Sequence, residues 1–183
     1  MSFNEKLELA QQGNINAMGD VARAYADGID VEKNAKECFD WAVKTAEKAG
    51  DEVFIEGDIY AFIADAYFDG VVVEKDIEKG FYWLKKGANT YDMELMERVG
   101  DCYNEGYGVK QDKGEALEWY LHSANEGRFF AMHKVGLAYL HGIGVEARQK
   151  IAHEYFTRAA SCDYEPSKKI LEEVEFVFED EDK

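Results

Sequence analysis

Four tyrosines set the frame of this chain. Tyr25, Tyr67, Tyr103 and Tyr139 stand 42, 36 and 36 residues apart, and each carries the same companions. A glycine lies three residues on, at Gly28, Gly70, Gly106 and Gly142, and a valine three beyond it, at Val31, Val73, Val109 and Val145. A large aromatic follows sixteen residues after each tyrosine, at Trp41, Trp83, Trp119 and Tyr155, and an alanine after twenty-one, at Ala46, Ala88, Ala124 and Ala160. Self-similarity at such a period constrains the fold more than any local propensity. Each copy is one supersecondary unit that buries its apolar face only by stacking on its neighbours.

The residues before each tyrosine predict a helix, here called helix A. Ala17, Ile59, Leu95 and Ala131 stand eight before it, and Val21, Ile63, Val99 and Val135 four before it. These positions share one face of a 3.6-residue helix. Three before it stand Ala22, Ala64, Gly100 and Gly136, small enough to let another backbone come close. The glycine after the tyrosine suits a left-handed cap. Asn34, Asp76 and Asp112 then predict the start of a second helix, helix B, with capping-box spacing at Asn34–Glu37 and Asp112–Glu115. Arg148 takes this place in the fourth copy and predicts a weaker start.

These residues resemble the Sel-like (Sel-one-like) repeat family, relatives of the tetratricopeptide repeats. The third copy matches best, with Val99-Gly100, Tyr103, Gly106, Gly108, Val109, Asp112, Ala116, Trp119, Ala124 and Gly127. The resemblance covers about residues 14 to 163. Asp30 and Val72 stand where the second loop glycine belongs, and Tyr155 replaces tryptophan; these departures bear on local loop shape. The resemblance implies an all-α fold: an α/α solenoid, or superhelix, of helix-turn-helix repeats that binds other proteins.

The expected organisation is a single repeat domain over 1–183. An N-terminal capping helix over 1–13 reads as an orphan helix B, since Ala10 and Gly13 are spaced as Ala124 and Gly127 are. Repeats follow at 14–50, 51–92, 93–127 and 128–163. Six extra residues fall within Glu47–Asp58, where Val53, Phe54 and Ile55 would anchor a longer helix or a bulging loop. A capping helix over 164–178 starts at Pro166 and offers Ile170, Leu171, Val174, Val177 and Phe178 as its apolar face. An acidic tail at 179–183 ends the chain.

Composition bounds the partners. The net charge is −17, from 21 Lys and Arg against 38 Asp and Glu, which disfavours nucleic acid and anionic membrane. No apolar run approaches the ~18 residues of a membrane span. The opening MSFNEKLELAQQGN lacks the basic flank and apolar core of a signal peptide, so the expected location is cytoplasmic. Cys38, Cys102 and Cys162 form no CxxC pair; Cys38 and Cys102 fill slots that other repeats give to glycine or alanine and read as small buried residues. His122, His133, His141 and His153 all lie late in the chain. His133 and His141 sit ~12 Å apart along one helix, too far to share a metal easily. GxSxG, HExxH and P-loop motifs are absent from the sequence. No cofactor, metal or catalytic residue is expected, and the default state is a monomer.

The candidate binding surface is the stripe of helix A opposite its core face, which lines the concave side of stacked hairpins. Repeat two contributes Asp58, Asp65, Phe68 and Asp69, and repeat three contributes Glu94, Glu97, Asp101 and Glu105. Repeat four contributes Phe130, His133, Leu137, Leu140 and His141. An acidic trough leading to an apolar floor would suit a protein with a basic segment and a hydrophobic anchor. Two structural alternatives stand beside this reading: the acids form an ordinary solvated face, and Phe130, Leu137 and Leu140 pack under the last helix. The expected function is a non-catalytic protein-interaction module of the scaffold or adaptor kind. The alternatives are a small acidic immunity or inhibitor protein that neutralises a basic toxin or enzyme, and, last, a hydrolase.

Overall fold

The computed structural model describes residues 1–50 and 57–177; the expected anchor Val53, Phe54 and Ile55 and the helix residue Phe178 lie outside them. Among the described residues every regular element is an α-helix. They are α1 (Phe3–Gln11), α2 (Ile15–Asp27), α3 (Ala35–Ala49), α4 (Gly57–Asp69), α5 (Ile77–Ala88), α6 (Met93–Glu105), α7 (Lys113–Asn125), α8 (Phe129–His141), α9 (Gln149–Ala160) and α10 (Glu165–Glu173). Even-numbered α2 to α8 are the four A helices and odd-numbered α3 to α9 the four B helices. The chain divides into two compact units, Met1–Thr90 and Tyr91–Lys183. The first holds α1 and repeats one and two. The second holds repeats three and four and α10. Within each unit every helix packs on the next one in sequence, as a repeat solenoid requires.

One backbone device closes all four hairpins. The N–H of the helix-B cap residue donates to the carbonyl of the repeat tyrosine: Asn34 to Tyr25 at 3.0 Å, Asp76 to Tyr67 at 3.0 Å, Asp112 to Tyr103 at 2.9 Å and Arg148 to Tyr139 at 2.8 Å. The glycine after each tyrosine turns left-handed, with φ between 67° and 74°, which lets the chain leave helix A. The Asn34, Asp76 and Asp112 side chains then accept from the first free N–H groups of helix B. Arg148 makes no side-chain cap, as its chemistry predicts. Both halves of a capping box are present at Ser2 and Glu5 of α1. The second loop position separates the repeats. Asp30 keeps the left-handed turn at φ 58°, whereas Val72 does not, because a β-branched residue is strongly disfavoured there.

The core of each unit follows the repeat. Val21, Ile63, Val99 and Val135 are fully buried, as are Ala46, Ala88 and Ala124. Trp41 and Trp83 are buried in the first unit, while Trp119 and Tyr155 are half-buried in the second. There the residue one further on takes the interior: Tyr120 and Phe156 are buried. The small residue three before the repeat tyrosine explains this. A Cβ on Gly100 would lie 2.5 Å from the Tyr120 ring, and one on Gly136 would lie 2.7 Å from the Phe156 ring. The close approach is therefore made by an aromatic ring of helix B. In the first unit the same pair reads Ala22 with Ala42 and Ala64 with Leu84. Where helix A carries a methyl group, helix B gives up its ring.

The ends differ in kind. α1 repeats the pattern of α3 at an interval of 36 residues. Phe3 packs edge-on against Tyr25 at 5.5 Å as Phe39 does against Tyr67, and Ala10 is buried as Ala46 is. At the other end α10 stops at Glu173, short of the expected helix. Val174 is extended with ψ 121°, and Val177 donates its N–H to Gln149 Oε1 at 2.7 Å. The extended strap delivers Phe176 to His153, at 5.0 Å between ring centroids, and toward Phe156 at 6.3 Å. Continuing the helix would have carried Phe176 away from that contact.

The ring-for-methyl exchange makes a quantitative expectation. Gly136→Ala gains about 1 kcal/mol of helix propensity but forces the Phe156 ring aside at about 1–3 kcal/mol, and should lose stability in urea unfolding. Gly136→Ala with Phe156→Leu recreates the Ala64–Leu84 pair and should be less destabilised than the two single changes summed. Strict additivity would show that the two positions do not compensate.

Candidate partner-binding surfaces

In the second unit, α6, α7 and α8 bring three acids, two bases and a phenol together. Glu97 is only 8% exposed, although its place on the repeat predicts an outward acid. It is covered by the next A helix. Arg128 Nε donates to Glu97 Oε2 at 2.8 Å and Lys134 Nζ to Oε1 at 2.7 Å. Lys134 also donates to both oxygens of Asp101, at 2.7 and 2.8 Å, and sits 5.2 Å from the centre of the Tyr120 ring. Tyr120 donates its hydroxyl to Asp101 Oδ1 at 2.7 Å. Arg128 Nη1 lies 3.4 Å from Glu94, whose side chain is 60% exposed. Glu105 stays exposed and accepts from Asn104 Nδ2 at 2.6 Å.

The electrostatics follow from this packing. Burial works against the charged Lys134 ammonium, but hydrogen bonds to Asp101 and Glu97 outweigh it and hold the pKa above its ordinary value. Burial, then the hydrogen bond to Asp101, pushes the Tyr120 phenol up. Glu97 and Asp101 are thus the internal counter-ions of Lys134. The repeat pattern alone hides this, because Lys134 belongs to the following repeat.

The apolar end of the stripe is covered from α10. Phe130 lies 5.1 Å and His133 5.2 Å from the Tyr164 ring, both near edge-on. His133 Nδ1 shares a 2.8 Å hydrogen bond with the fully buried Ser167 hydroxyl. Burial, then the nearby Lys134 charge, lowers the His133 pKa. Leu137 and Leu140 are half-buried and His141 is exposed.

In the first unit, Asp58, Asp65 and Asp69 are exposed along α4, and Asp69 Oδ1 accepts from the Val71 N–H at 3.0 Å. Phe68 is half-buried against its own hairpin, where a Cβ on Gly80 would lie 2.5 Å from its ring. A cleft of about 140 Å³ opens between α2, α3 and α4. It is lined by Ala22, Ala26, Cys38, Ala42, Ile59 and Phe62, with the charged residues Arg23 and Asp58. The repeat tyrosines drew the sequence reading to the A helices; the small residues flanking them in repeat one were the signal for this cleft.

The thiols of Cys38 and Cys102 carry no sign of reactivity. Burial pushes Cys38 and Cys102 each up to about 11, and both are buried, while Cys162 is exposed. Among the described residues no group of three or more His, Cys, Asp or Glu side chains could hold a metal ion. Among them, too, no helix is long and apolar enough to cross a membrane.

Two outcomes test this picture of the second unit. Lys134→Met leaves Glu97 and Asp101 short of a half-buried counter-ion and should cost about 2 kcal/mol in urea unfolding, with part recovered by adding Glu97→Gln. The loss should be constant through neutral pH and shrink only above about 10.5, since a raised lysine pKa stabilises below its unfolded value and ceases to do so as the pH rises through the folded one. For His133 the sign is opposite. Its lowered pKa gives stability that is present above 6.5 and lost as the pH falls through the folded value, so His133→Gln should flatten the acid side of the stability curve.

The comparisons with known proteins agree with the helical-repeat fold. The model of the Sel1 repeat matches residues 15–49, 60–89, 94–127 and 130–164. No curated protein matches the sequence. Among solved structures, c5321, a protective antigen present in uropathogenic Escherichia coli and displaying an SLR fold, is 26% identical. It aligns over 93% of this chain and 35% of its own, with a TM-score of 0.78. A Sel1 repeat protein from Oxalobacter formigenes is 24% identical over 94% of this chain and 49% of its own, with a TM-score of 0.79. Cysteine rich protein B of Helicobacter pylori shares the fold at 22% identity and a TM-score of 0.56, over 78% of this chain and 98% of its own. This chain thus spans about a third to a half of the first two relatives. Sel1 repeats generally mediate contacts between proteins and typically serve as non-catalytic scaffolds. With four matched copies in phase with the four hairpins, the chain belongs to the Sel1 repeat family.

Proposed function

We propose that this protein is a non-catalytic adaptor that holds a partner protein through a basic segment of that partner. The observation that carries the reading is the exposed row Asp58, Asp65 and Asp69 on α4, in a chain of net charge −17. Carboxylates seven and four residues apart share one helix face and can track a run of Lys or Arg. In the second unit, taken by itself, Glu105 is likewise an exposed acid. Glu97 and Asp101 do not belong to this reading, because their oxygens serve Lys134 and Arg128. Phe130 and His133 are left out of this reading because they pack on Tyr164.

The test is capture on the tagged chain from extract at low and high salt, with mass spectrometry of what is held. The Asp58→Lys, Asp65→Lys, Asp69→Lys variant should melt with the unchanged chain and lose the basic proteins that the unchanged chain retains at low salt. Capture of the same proteins by both would overturn the acidic-face reading.

A further inference from the structure

Four positions around each hairpin decide whether its interior is full. They lie three before the repeat tyrosine and one, thirteen and seventeen after it. Repeat three fills them with Gly100, Asn104, Ala116 and Tyr120, and repeat four with Gly136, Leu140, Ala152 and Phe156. Repeat two uses Ala64, Phe68, Gly80 and Leu84. Every one of these sets includes a large side chain. Repeat one has Ala22, Ala26, Cys38 and Ala42, with none. The cleft of the first unit lies at these four residues.

We infer that the repeat-one cleft is a binding pocket for the ring of a tyrosine side chain from a partner protein. Its volume of about 140 Å³ is close to the ~150 Å³ apolar cavity that accepts benzene. Repeat three offers an internal precedent for a ring at this place. In repeat three the Tyr120 ring occupies the corresponding place over Gly100, its hydroxyl meets Asp101, and Lys134 of the next A helix covers its face. In repeat one the place of Asp101 is taken by Arg23 and that of Lys134 by Phe62, both lining the cleft. An entering ring would pack beside Phe62 and turn its hydroxyl to a guanidinium donor. Asp58 also lines the cleft, so a Lys or Arg next to the tyrosine has an acid to meet. This rests on the adaptor reading above and gives it an anchor residue.

The experiment is a methyl NMR titration of the full chain with p-cresol, the tyrosine side-chain analogue. Saturable shifts should appear at the Ala22, Ala26 and Ala42 methyls, with a Kd on the order of 1 mM for so small a ligand. Ala42→Leu copies the Ala64–Leu84 pair that the same unit already accommodates; it should keep or raise the melting temperature and weaken p-cresol at least about 10-fold. Shifts confined to other residues, no shift at all, or unchanged binding by Ala42→Leu would each overturn the inference. So would concentration-dependent self-association that Ala42→Leu abolishes, which would make a second copy of this chain the occupant. The two readings fail separately. A pocket that ignores p-cresol leaves a salt-sensitive capture intact, whereas equal capture by the charge-reversed variant overturns the acidic-face reading whatever p-cresol does.

Discussion

The structure depends on how closely two helices of one hairpin approach. The pair formed by the residue three before the repeat tyrosine and the residue seventeen after it shows what fits between them. Glycine on helix A admits the ring of Tyr120 or Phe156; alanine admits only Leu84 or, in repeat one, Ala42. Interiors pack at crystal-like density, so a methyl group on one side must be answered on the other. Repeat one leaves the answer incomplete. The cleft is the difference between the volume the fold provides and the volume these four side chains fill.

Charge obeys a similar local rule. The chain has nearly twice as many acids as bases, yet its acids are not equivalent. Glu97 and Asp101 are neutralised by Lys134 and Arg128 of the next A helix, so repeats three and four are joined by ions as well as by apolar packing. Exposed acids such as Asp58 and Asp69 remain outside that network. A buried carboxylate with two cationic partners fixes the register of neighbouring helices, because one that lost them would be left in a low-dielectric site.

Periodicity made the helices, their order and the alternating burial legible before any coordinates. Val21, Ile63, Val99 and Val135 lie in the core because four identical contexts point there. What the pattern could not disclose lies between repeats or beyond them. Glu97 reads as an outward residue until Lys134 is placed beside it. Phe68 reads as a surface anchor until Gly80 is seen to leave room for its ring. The last helix reads as continuing through Val174. The extended turn there answers to Phe156 and Gln149, residues more than 15 positions earlier in the chain, and local propensity carries no record of them.

The hydrogen bond that closes each hairpin joins a main-chain N–H to a main-chain carbonyl. No side chain is a party to it. The same closure therefore survives aspartate at position 30, valine at position 72 and arginine at position 148, where the family pattern is broken. A hinge made only of peptide groups leaves the surrounding side chains free to diverge. Natural variation can rewrite the rim and lining of one hairpin, as it has in repeat one, without renegotiating the joint that holds the hairpin shut.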